Sequence, residues 1–356
     1  MIGANLDVTG YAAWLGEPEL RAAQLFVEQI NARGGVNGRP LQLIVYDNES
    51  NPEKATSNAK KLIQRDKVVA VVGPAITATS NAARSVAQEE KVITYSLSTS
   101  FEPNYPDSYS FATCSSTADM VEAVYDYFAK NSIKRVATLC ATDSTGQTWF
   151  EETNKNAKKY RTEIWNERFN VKDMDVTAQL AKLKGNDPQA LIVGASGAPN
   201  AVVVKNFNQL GFKIPYISGM GNVSETFLKL MKGNEPEKLL LTGAAIIVWR
   251  ELPDSYPNKK LMKDFAESFE TKFKREPDVY AADAYDAIRV ITEGISKVNP
   301  EGPKDGTKLR DAMEKIKKLP AVYGGSYSFS REDHRGIGKE AVVLIQVKDG
   351  KFTMAR

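Results

Sequence analysis

The sequence predicts an α/β protein made of two lobes, each a doubly wound parallel sheet, and three observations support this class. Short apolar runs alternate with amphipathic helical segments along most of the chain. The connections between them are short, and such crossovers require parallel strands with right-handed winding. The chain of 356 residues exceeds the usual size of one core, and its βα pattern starts again after about residue 116. We therefore expect two domains.

The predicted strands are short apolar or alternating runs that end at polar or glycine-containing turns. They cover residues 2–6, 41–46, 68–72, 92–95, 109–113, 135–140, 162–169, 190–193, 214–218, 323–329 and 341–347. The predicted helices repeat apolar residues every three or four positions. They cover residues 17–33, 52–65, 82–89, 118–130, 151–160, 175–184, 201–210, 260–274, 281–298 and 307–317. A glycine-flanked loop that carries Tyr11 and Trp14 is predicted before the first helix.

Two polar turns follow the third and fourth predicted strands. The first contains Thr77 and leads into a helix, and the second contains Ser98, Thr99 and Ser100. Ligands bind beyond the carboxyl ends of parallel strands, and a helix N-terminus carries partial positive charge. The two turns therefore predict a site for a small anion, most simply a carboxylate. The alternative is that Thr77 or Thr79 caps the helix and that the serines are ordinary turn residues.

Charge and hydropathy exclude two classes of partner. Basic and acidic residues are well mixed and leave a net charge of +3, so no nucleic-acid binding is expected. No apolar stretch reaches the length of a membrane span, and we do not expect one. Met1 lies directly before the first predicted strand, which suggests that it stands in place of a removed leader.

Histidine and cysteine counts restrict the chemistry. His334 is the only histidine, which removes most hydrolase triads and histidine metal sites, and its turn-like surroundings predict a solvated side chain. Cys114 and Cys140 do not have a zinc spacing, so no metal site is expected. We expect two buried thiols, and a bridge only if their strands are neighbours.

Nucleotide and hydrolase motifs are missing at the positions that an enzyme of this architecture would need. The first turn, LDVTG from Leu6, lacks the GxGxxG pattern of dinucleotide sites, and the chain has no GxxxxGK[ST] motif. The turn GASG from Gly194 lacks the second glycine of a GxSxG elbow. We therefore expect no cofactor and no enzymatic activity.

Five segments along the chain form a pattern that is specific only in combination. They read IGANLDVTG from Ile2, INARGGVNGRP from Ile30, YDNESNP from Tyr46, VVGP from Val71 and YAADAYDA from Tyr280. Together they resemble the periplasmic substrate-binding proteins of branched-chain amino-acid ABC transporters, the leucine/isoleucine/valine-binding type. The resemblance runs along nearly the whole chain.

The resemblance implies two lobes joined by three crossovers, with a ligand cleft between them that closes by hinge motion. One lobe would comprise residues 1–115 and 246–324, and the other residues 116–245 and 325–356. It further implies a monomer that delivers a small carboxylate ligand, foremost a branched-chain or other hydrophobic amino acid, to the membrane permease of an ABC importer. The implied location is the periplasm, or the extracellular face through a membrane anchor.

Several positions match the ligand-binding residues of that family. Thr77 matches the hydroxyl that binds the ligand carboxylate. Ser98 and Ser100, with Thr99 between them, match the strand-end residues whose backbone and hydroxyl groups complete the contacts with that carboxylate. Five further residues have other roles. Trp14 falls near the aromatic residue that covers the ligand in the family, and Thr145 and Ser196 fall where the family often has tyrosines. Tyr280 either packs in the core or lines the cleft. Asp143 either reaches the ligand or caps a helix.

One departure from the family concerns the ligand's ammonium group. Amino-acid binders of the family place an acid after the strand that ends here at Ser218, whereas this chain reads GMGN from Gly219. Asp143 or Asp283 would have to substitute, although a solvated or capping position is also expected for Asp283. A buried ammonium without a partner is costly. An aromatic or branched carboxylic acid without an ammonium group is therefore a competing ligand, and a ligand-sensing receptor domain is a competing function.

Overall fold

The computed structural model describes residues 1–348 and 350–355, and it divides the chain into two compact units. Unit 1 comprises Met1–Cys114 and Pro253–Ala341. Unit 2 comprises Ser115–Leu252 and the described residues from Val342 onward. The chain therefore crosses from one unit to the other three times. Each unit contains a largely parallel sheet with helices between its strands, which confirms the α/β class.

Unit 1 begins with a five-stranded parallel sheet. Its strands are β1 Ile2–Leu6, β2 Leu43–Asp47, β3 Ala70–Val72, β4 Ile93–Ser96 and β5 Ser110–Ala112. They lie in the order β2-β1-β3-β4-β5, and each neighbouring pair is parallel. The direction of winding reverses between β1 and β3, and the carboxyl ends of two such strands border a crevice.

Three helices connect these strands. They are α1 Ala13–Ala32, α2 Pro52–Lys60, which continues as a π-helical turn at Lys61–Arg65, and α3 Thr77–Glu90. The predicted start of the first helix at residue 17 is wrong, because Trp14 lies in the first turn of α1 and not in a loop. Gly16 explains the earlier start: a Cβ there would lie 2.3 Å from the Asp7 carbonyl oxygen, so this turn packs directly on the end of β1.

Residues 115–252 form most of unit 2. Its strands here are β6 Arg135–Ala141, β7 Glu163–Phe169, β8 Ala190–Gly194, β9 Tyr216–Ser218 and β10 Leu239–Ala244. Its helices are α4 Thr117–Lys130, α5 Ser144–Tyr160, α6 Thr177–Lys184, α7 Ala198–Gln209 and α8 Glu225–Met231. Short 3₁₀ segments follow β9 at Met220–Asn222 and β10 at Ala245–Glu251.

The chain then returns to unit 1. It adds α9 Lys259–Phe273, α10 Val279–Val298, a 3₁₀ turn at Pro303–Asp305, α11 Gly306–Met313, a small hairpin of β11 Leu319–Pro320 and β12 Ser326–Tyr327, and a 3₁₀ turn at Lys339–Ala341. The predicted strand at 323–329 is wrong except at its centre. The Tyr323 amide bonds instead to the Asp286 carboxylate, and the Phe329 amide to the Ile316 carbonyl.

Residues 325–341 lie in unit 1, whereas the resemblance placed them with the other lobe. One local and one long-range contact account for this position. β12 pairs with β11, and the His334 ring stacks on Phe111 with 4.1 Å between ring centroids. The His334 side chain is only 2% exposed, so the prediction of a solvated histidine is wrong.

Two antiparallel strands complete unit 2, β13 Val342–Lys348 and β14 Lys351–Met354. The seven-stranded sheet has the order β14-β13-β10-β9-β8-β6-β7, so it is not wholly parallel as predicted. Its parallel part has the order β7-β6-β8-β9-β10. This is the same arrangement as β2-β1-β3-β4-β5 in unit 1. This repetition is the duplication that the sequence pattern indicates.

The two cysteines are buried thiols that form no disulfide with each other, as predicted. Among the described residues, no helix has both the length and the apolar character required to cross a membrane.

Candidate functional site

The polar turns of unit 1 lie side by side because β3 and β4 are adjacent parallel strands. The structure brings Thr77 and Ser98 into direct contact, with their hydroxyl oxygens 2.9 Å apart, and both side chains are buried. Two hydroxyls carry two protons and their mutual bond uses one. The second proton can be donated to a ligand oxygen. Thr99 and Ser100 are half-buried in the same turn.

A chain of hydrogen bonds fixes the backbone beneath this pair. The Ser80 hydroxyl donates to the Pro74 carbonyl at 3.1 Å. Because that bond uses the only Ser80 proton, Ser96 is the donor in the 2.9 Å bond between the Ser96 and Ser80 hydroxyls. Ser96 Oγ in turn accepts the Ser98 amide proton at 3.2 Å. The turn after β4 is thereby tied to the first turns of α3.

The N-terminus of α3 has no side-chain cap. Ile76 occupies the cap position with an extended backbone and makes no side-chain hydrogen bond, and Thr77 is the first helical residue. Neither Thr77 nor Thr79 therefore serves as the cap. Amides of the first helical turn lack intrahelical partners, and the helix dipole adds partial positive charge there. This end of the 14-residue helix α3 suits an anion.

Two aromatic side chains meet elsewhere in unit 1. Trp14, in the first turn of α1, and Tyr280, in the first turn of α10, form an edge-to-face pair with ring centroids 5.4 Å apart. Tyr280 is 7% exposed and Trp14 is half-buried. Such a pair is worth about 0.5–1.5 kcal/mol beyond its buried area. Trp14 is the more accessible of the two and is the better candidate for ligand contact.

Sequence reasoning missed a set of buried acids in unit 1. Burial raises the pKa of Asp7, of Glu19 and of Asp283, and it raises the pKa of Asp278 to about 6. Both Glu19 carboxyl oxygens and Asp283 Oδ1 are buried without a hydrogen-bond partner. The expectation of a solvated or capping Asp283 is therefore wrong, whereas Asp278 does cap α10. The signal for Asp7 was its position directly after a buried strand.

The corresponding turns of unit 2 hold the other predicted residues. Asp143 is exposed and caps α5, where its carboxylate accepts the Gly146 amide proton at 2.8 Å. Thr145 is half-buried in the first turn of that helix. Ser196 is half-buried after β8, and a Cβ at Gly221 would lie 2.3 Å from its hydroxyl oxygen. Asp143 thus has the capping role that was one of its two alternatives.

The turn after β9 contains no acid, and its amide side chain is already in use. Asn222 is fully buried. Its Nδ2 donates to the Ala195 carbonyl at 2.9 Å and to the Ser218 hydroxyl at 3.0 Å, and its Oδ1 accepts the Gly197 amide proton at 2.9 Å. These bonds tie the turn after β9 to the turn after β8. Asn222 is a neutral side chain held within unit 2, so it supplies no negative charge to this turn.

Within the described ranges, no three His, Cys, Asp or Glu side chains are grouped so as to hold a metal ion. The hydroxyls and the helix N-terminus of this site can donate hydrogen bonds to an anion.

Comparison with known proteins places the chain among binding proteins. Residues 1–351 match the model of the family described as periplasmic binding protein. A relative from Pseudomonas aeruginosa, a leucine-, isoleucine-, valine-, threonine- and alanine-binding protein, is 24% identical over 310 residues, which are 86% of this chain and 79% of the relative. A Leu/Ile/Val-binding protein homolog from Brucella abortus is 27% identical over 329 residues, 91% of this chain and 84% of that protein.

Solved structures give the same architecture. An extracellular ligand-binding receptor from Rhodopseudomonas palustris HaA2 superimposes with a TM-score of 0.90 at 27% identity, covering 100% of this chain and 99% of the other.

Proposed function

The chain belongs to the periplasmic binding protein family, and from that premise we propose that it is an extracytoplasmic solute-binding protein of an ABC importer. It captures a small carboxylate ligand, presents it to the membrane permease and catalyses no reaction. We propose that it acts as a monomer in the periplasm or, through an anchor, at the extracellular face. Hinge closure, which the resemblance implies, stays a prediction.

The observation that carries the proposal is the Thr77–Ser98 hydroxyl pair beside the uncapped N-terminus of α3. Both side chains are buried, so a carboxylate bound there exchanges water for fixed donors in a region of low dielectric constant. Hydrogen bonds to a charged acceptor contribute about 1.5–3 kcal/mol each. Ser100 and Thr99, in the same turn, and the half-buried Trp14 are proposed to complete the ligand contacts of unit 1.

The first candidate ligand is a branched-chain or other hydrophobic amino acid. The names of the curated relatives from Pseudomonas aeruginosa and Brucella abortus support this class. Small side chains at Thr145 and Ser196, where the family often has tyrosines, would leave room for a bulky ligand.

The second candidate is an aromatic or branched carboxylic acid without an ammonium group. The turn after β9 favours it, because residues 219–222 include no acid and both amide atoms of Asn222 are bonded within unit 2. An ammonium group buried without a carboxylate partner would cost several kcal/mol.

A matched pair of probes separates the two candidates. L-leucine and 4-methylpentanoate share a carboxylate and a branched chain and differ in the ammonium group, and phenylacetate tests an aromatic acid. Mass spectrometry of whatever co-purifies identifies the natural ligand first, and thermal unfolding then ranks the probes. A ligand at one hundred times its dissociation constant adds about 2.7 kcal/mol of stability. If the co-purified molecule carries no carboxylate and none of the three acids stabilises the protein, the proposed function is wrong.

A further inference from the structure

Asp7 lies at the point where the winding of the unit 1 sheet reverses. It follows β1 directly, and β1 lies between β2 and β3 in the sheet. In open α/β sheets, this reversal is where ligands bind. The Asp7 side chain is fully buried, so its carboxyl group depends on protein donors and not on water.

The donors to Asp7 come from the segment that contains Thr77. The Ala75 amide donates to Asp7 Oδ2 at 2.8 Å. The Thr79 hydroxyl lies 3.3 Å from Asp7 Oδ1 and shares its one proton between that oxygen and the Ile76 carbonyl oxygen, which is 3.1 Å away. Ala75 and Thr79 flank Thr77 on either side in the sequence. One carboxyl group thus holds both ends of the turn that presents Thr77. Gly73, which opens this turn at φ +83°, lies so near β1 that a Cβ would be 2.4 Å from the Asn5 carbonyl oxygen.

The charged groups around Asp7 are mainly acidic. Glu19 lies on α1, and Asp278 and Asp283 lie at the N-terminal end of α10. The charges of Asp7, Asp283 and Asp278 each raise the pKa of Glu19, and the charge of Asp278 also raises the pKa of Asp283. Residues 75–79 contain no titratable side chain, and Asp47 at the end of β2 is engaged by Thr9. Positive charge comes from Arg275, which pairs with Asp278, and from Arg335, which lowers the pKa of Asp283. Burial raises the pKa of Asp7, and its hydrogen bonds oppose this shift.

We propose that Asp7 is a positioning residue of the anion site, whose carboxyl group holds residues 75–79 so that Thr77 and the N-terminus of α3 face the ligand carboxylate. The inference rests on the proposed function. It also couples ligand binding to protonation of Asp7. A ligand anion on one side of the turn disfavours the ionised form of Asp7 on the other side. By reciprocity, an anionic ligand binds more tightly as the pH falls through the pKa of Asp7.

The ligand-free protein tests the positioning role. Asp7→Leu removes both acceptors, whereas Asp7→Asn keeps a carbonyl oxygen and supplies the conservative rescue. Asp47→Asn is the matched control, since Asp47 also ends a strand but bonds to Thr9. The comparison uses conditions in which the globally protected amides of the variants exchange at the same rate. The Ala75 amide should then exchange at least about tenfold faster in Asp7→Leu than in the control, and Asp7→Asn should largely restore the slow exchange. The Thr77 amide resonance should shift with pH in the wild type and lose that dependence in Asp7→Asn.

The probe acid that binds best, among L-leucine, 4-methylpentanoate and phenylacetate, tests the effect on the ligand. Its affinity should fall at least about tenfold in Asp7→Leu, and in the wild type it should rise as the pH falls through the raised pKa of Asp7, a dependence that Asp7→Asn removes. Unchanged Ala75 exchange in Asp7→Leu, or unchanged affinity in a folded Asp7→Leu protein, would overturn the inference. If no probe binds the wild type, the proposed function fails, and the exchange and resonance data alone decide whether Asp7 positions the turn.

Discussion

The hydroxyl oxygens of Thr77 and Ser98 are 2.9 Å apart, although 21 positions separate the two residues in the sequence. Adjacent parallel strands bring them together: Val72 pairs with Tyr95, and each residue lies a few positions beyond its strand end. The contact joins a helix N-terminus to a strand-end turn, and it leaves one hydroxyl proton of the pair to donate to an anion beside the helix N-terminus.

Removal of the Thr77 hydroxyl should weaken ligand binding and change stability little. In Thr77→Ala, Ser98 loses its partner, so the one remaining hydroxyl is no longer held in position to donate to the ligand carboxylate. The expected loss of affinity is about 1–3 kcal/mol, the usual cost of removing a partner from a charged group. Isothermal titration calorimetry with the best-binding acid measures it, and Thr77→Ser, which keeps the hydroxyl, is the control. Equal affinities for Thr77→Ala and the wild type would show that Thr77 is not an anchor.

The stability of the protein should fall with rising pH because of Glu19. Burial, followed by the charges of Asp7, Asp283 and Asp278, raises the pKa of Glu19 well above its ordinary value. The folded protein therefore keeps this proton at a pH where the unfolded chain has lost it. The resulting stability is complete below the ordinary pKa and is lost as the pH rises toward the folded pKa, by at most about 1.4 kcal/mol per pH unit.

Glu19→Gln removes this titration and keeps the shape of the side chain. Between about pH 5 and pH 7 we expect the variant to gain roughly 1–3 kcal/mol relative to the wild type in urea unfolding. The same substitution at the exposed Glu89 is the control, and its unfolding free energy should differ from that of the wild type by the same amount at every pH in this range. A wild-type curve parallel to that of Glu19→Gln over this range would contradict the buried, protonated state of Glu19.

His334 should contribute substantially to stability. Its ring stacks on Phe111, Nδ1 lies 3.0 Å from the Ser110 carbonyl oxygen, and Nε2 lies 3.1 Å from Glu314 Oε1. Loss of a buried ring and its polar contacts in His334→Ala should cost about 2–4 kcal/mol. His334→Phe keeps the stack and should cost less. Urea unfolding measures both, and losses below about 0.5 kcal/mol would place the ring in solvent, as first predicted from the sequence.

Neither cysteine should react in the native protein. Cys140 is fully buried, and burial raises its pKa to about 12, so only about one molecule in 10⁴ carries the thiolate at pH 8. Cys114 is also fully buried. Labelling with a water-soluble disulfide reagent should proceed at both positions in urea and at neither without it. Fast stoichiometric labelling of the native protein would show that a thiol is accessible.

Local sequence signals predicted the elements that depend on near neighbours. Residues 2–6 form a strand as predicted, since a short apolar run before a polar turn has few other solutions. The small residues after β3 and β4 likewise indicated two neighbouring turns, because consecutive strands in a βαβ unit usually pair.

The errors arise where distant residues decide the structure. The environment of His334 is set by Ser110 and Glu314, and the first of these is 224 positions away. Trp14 is helical because Gly16 packs on the end of β1. Among the site residues, Asp7 lies within the segment IGANLDVTG, but that pattern does not reveal its role, which follows from the meeting of β1 with residues 75–79.

The shared use of distant chain segments has a consequence for biosynthesis. Residues 253–341 belong to unit 1, and β13 and β14 belong to the sheet of unit 2. While the ribosome is still translating the middle of the message, the nascent chain has neither unit complete. Unit 1 must wait for its late helices and unit 2 for β13 and β14, so chaperone protection during synthesis would have to extend to the last tenth of the polypeptide.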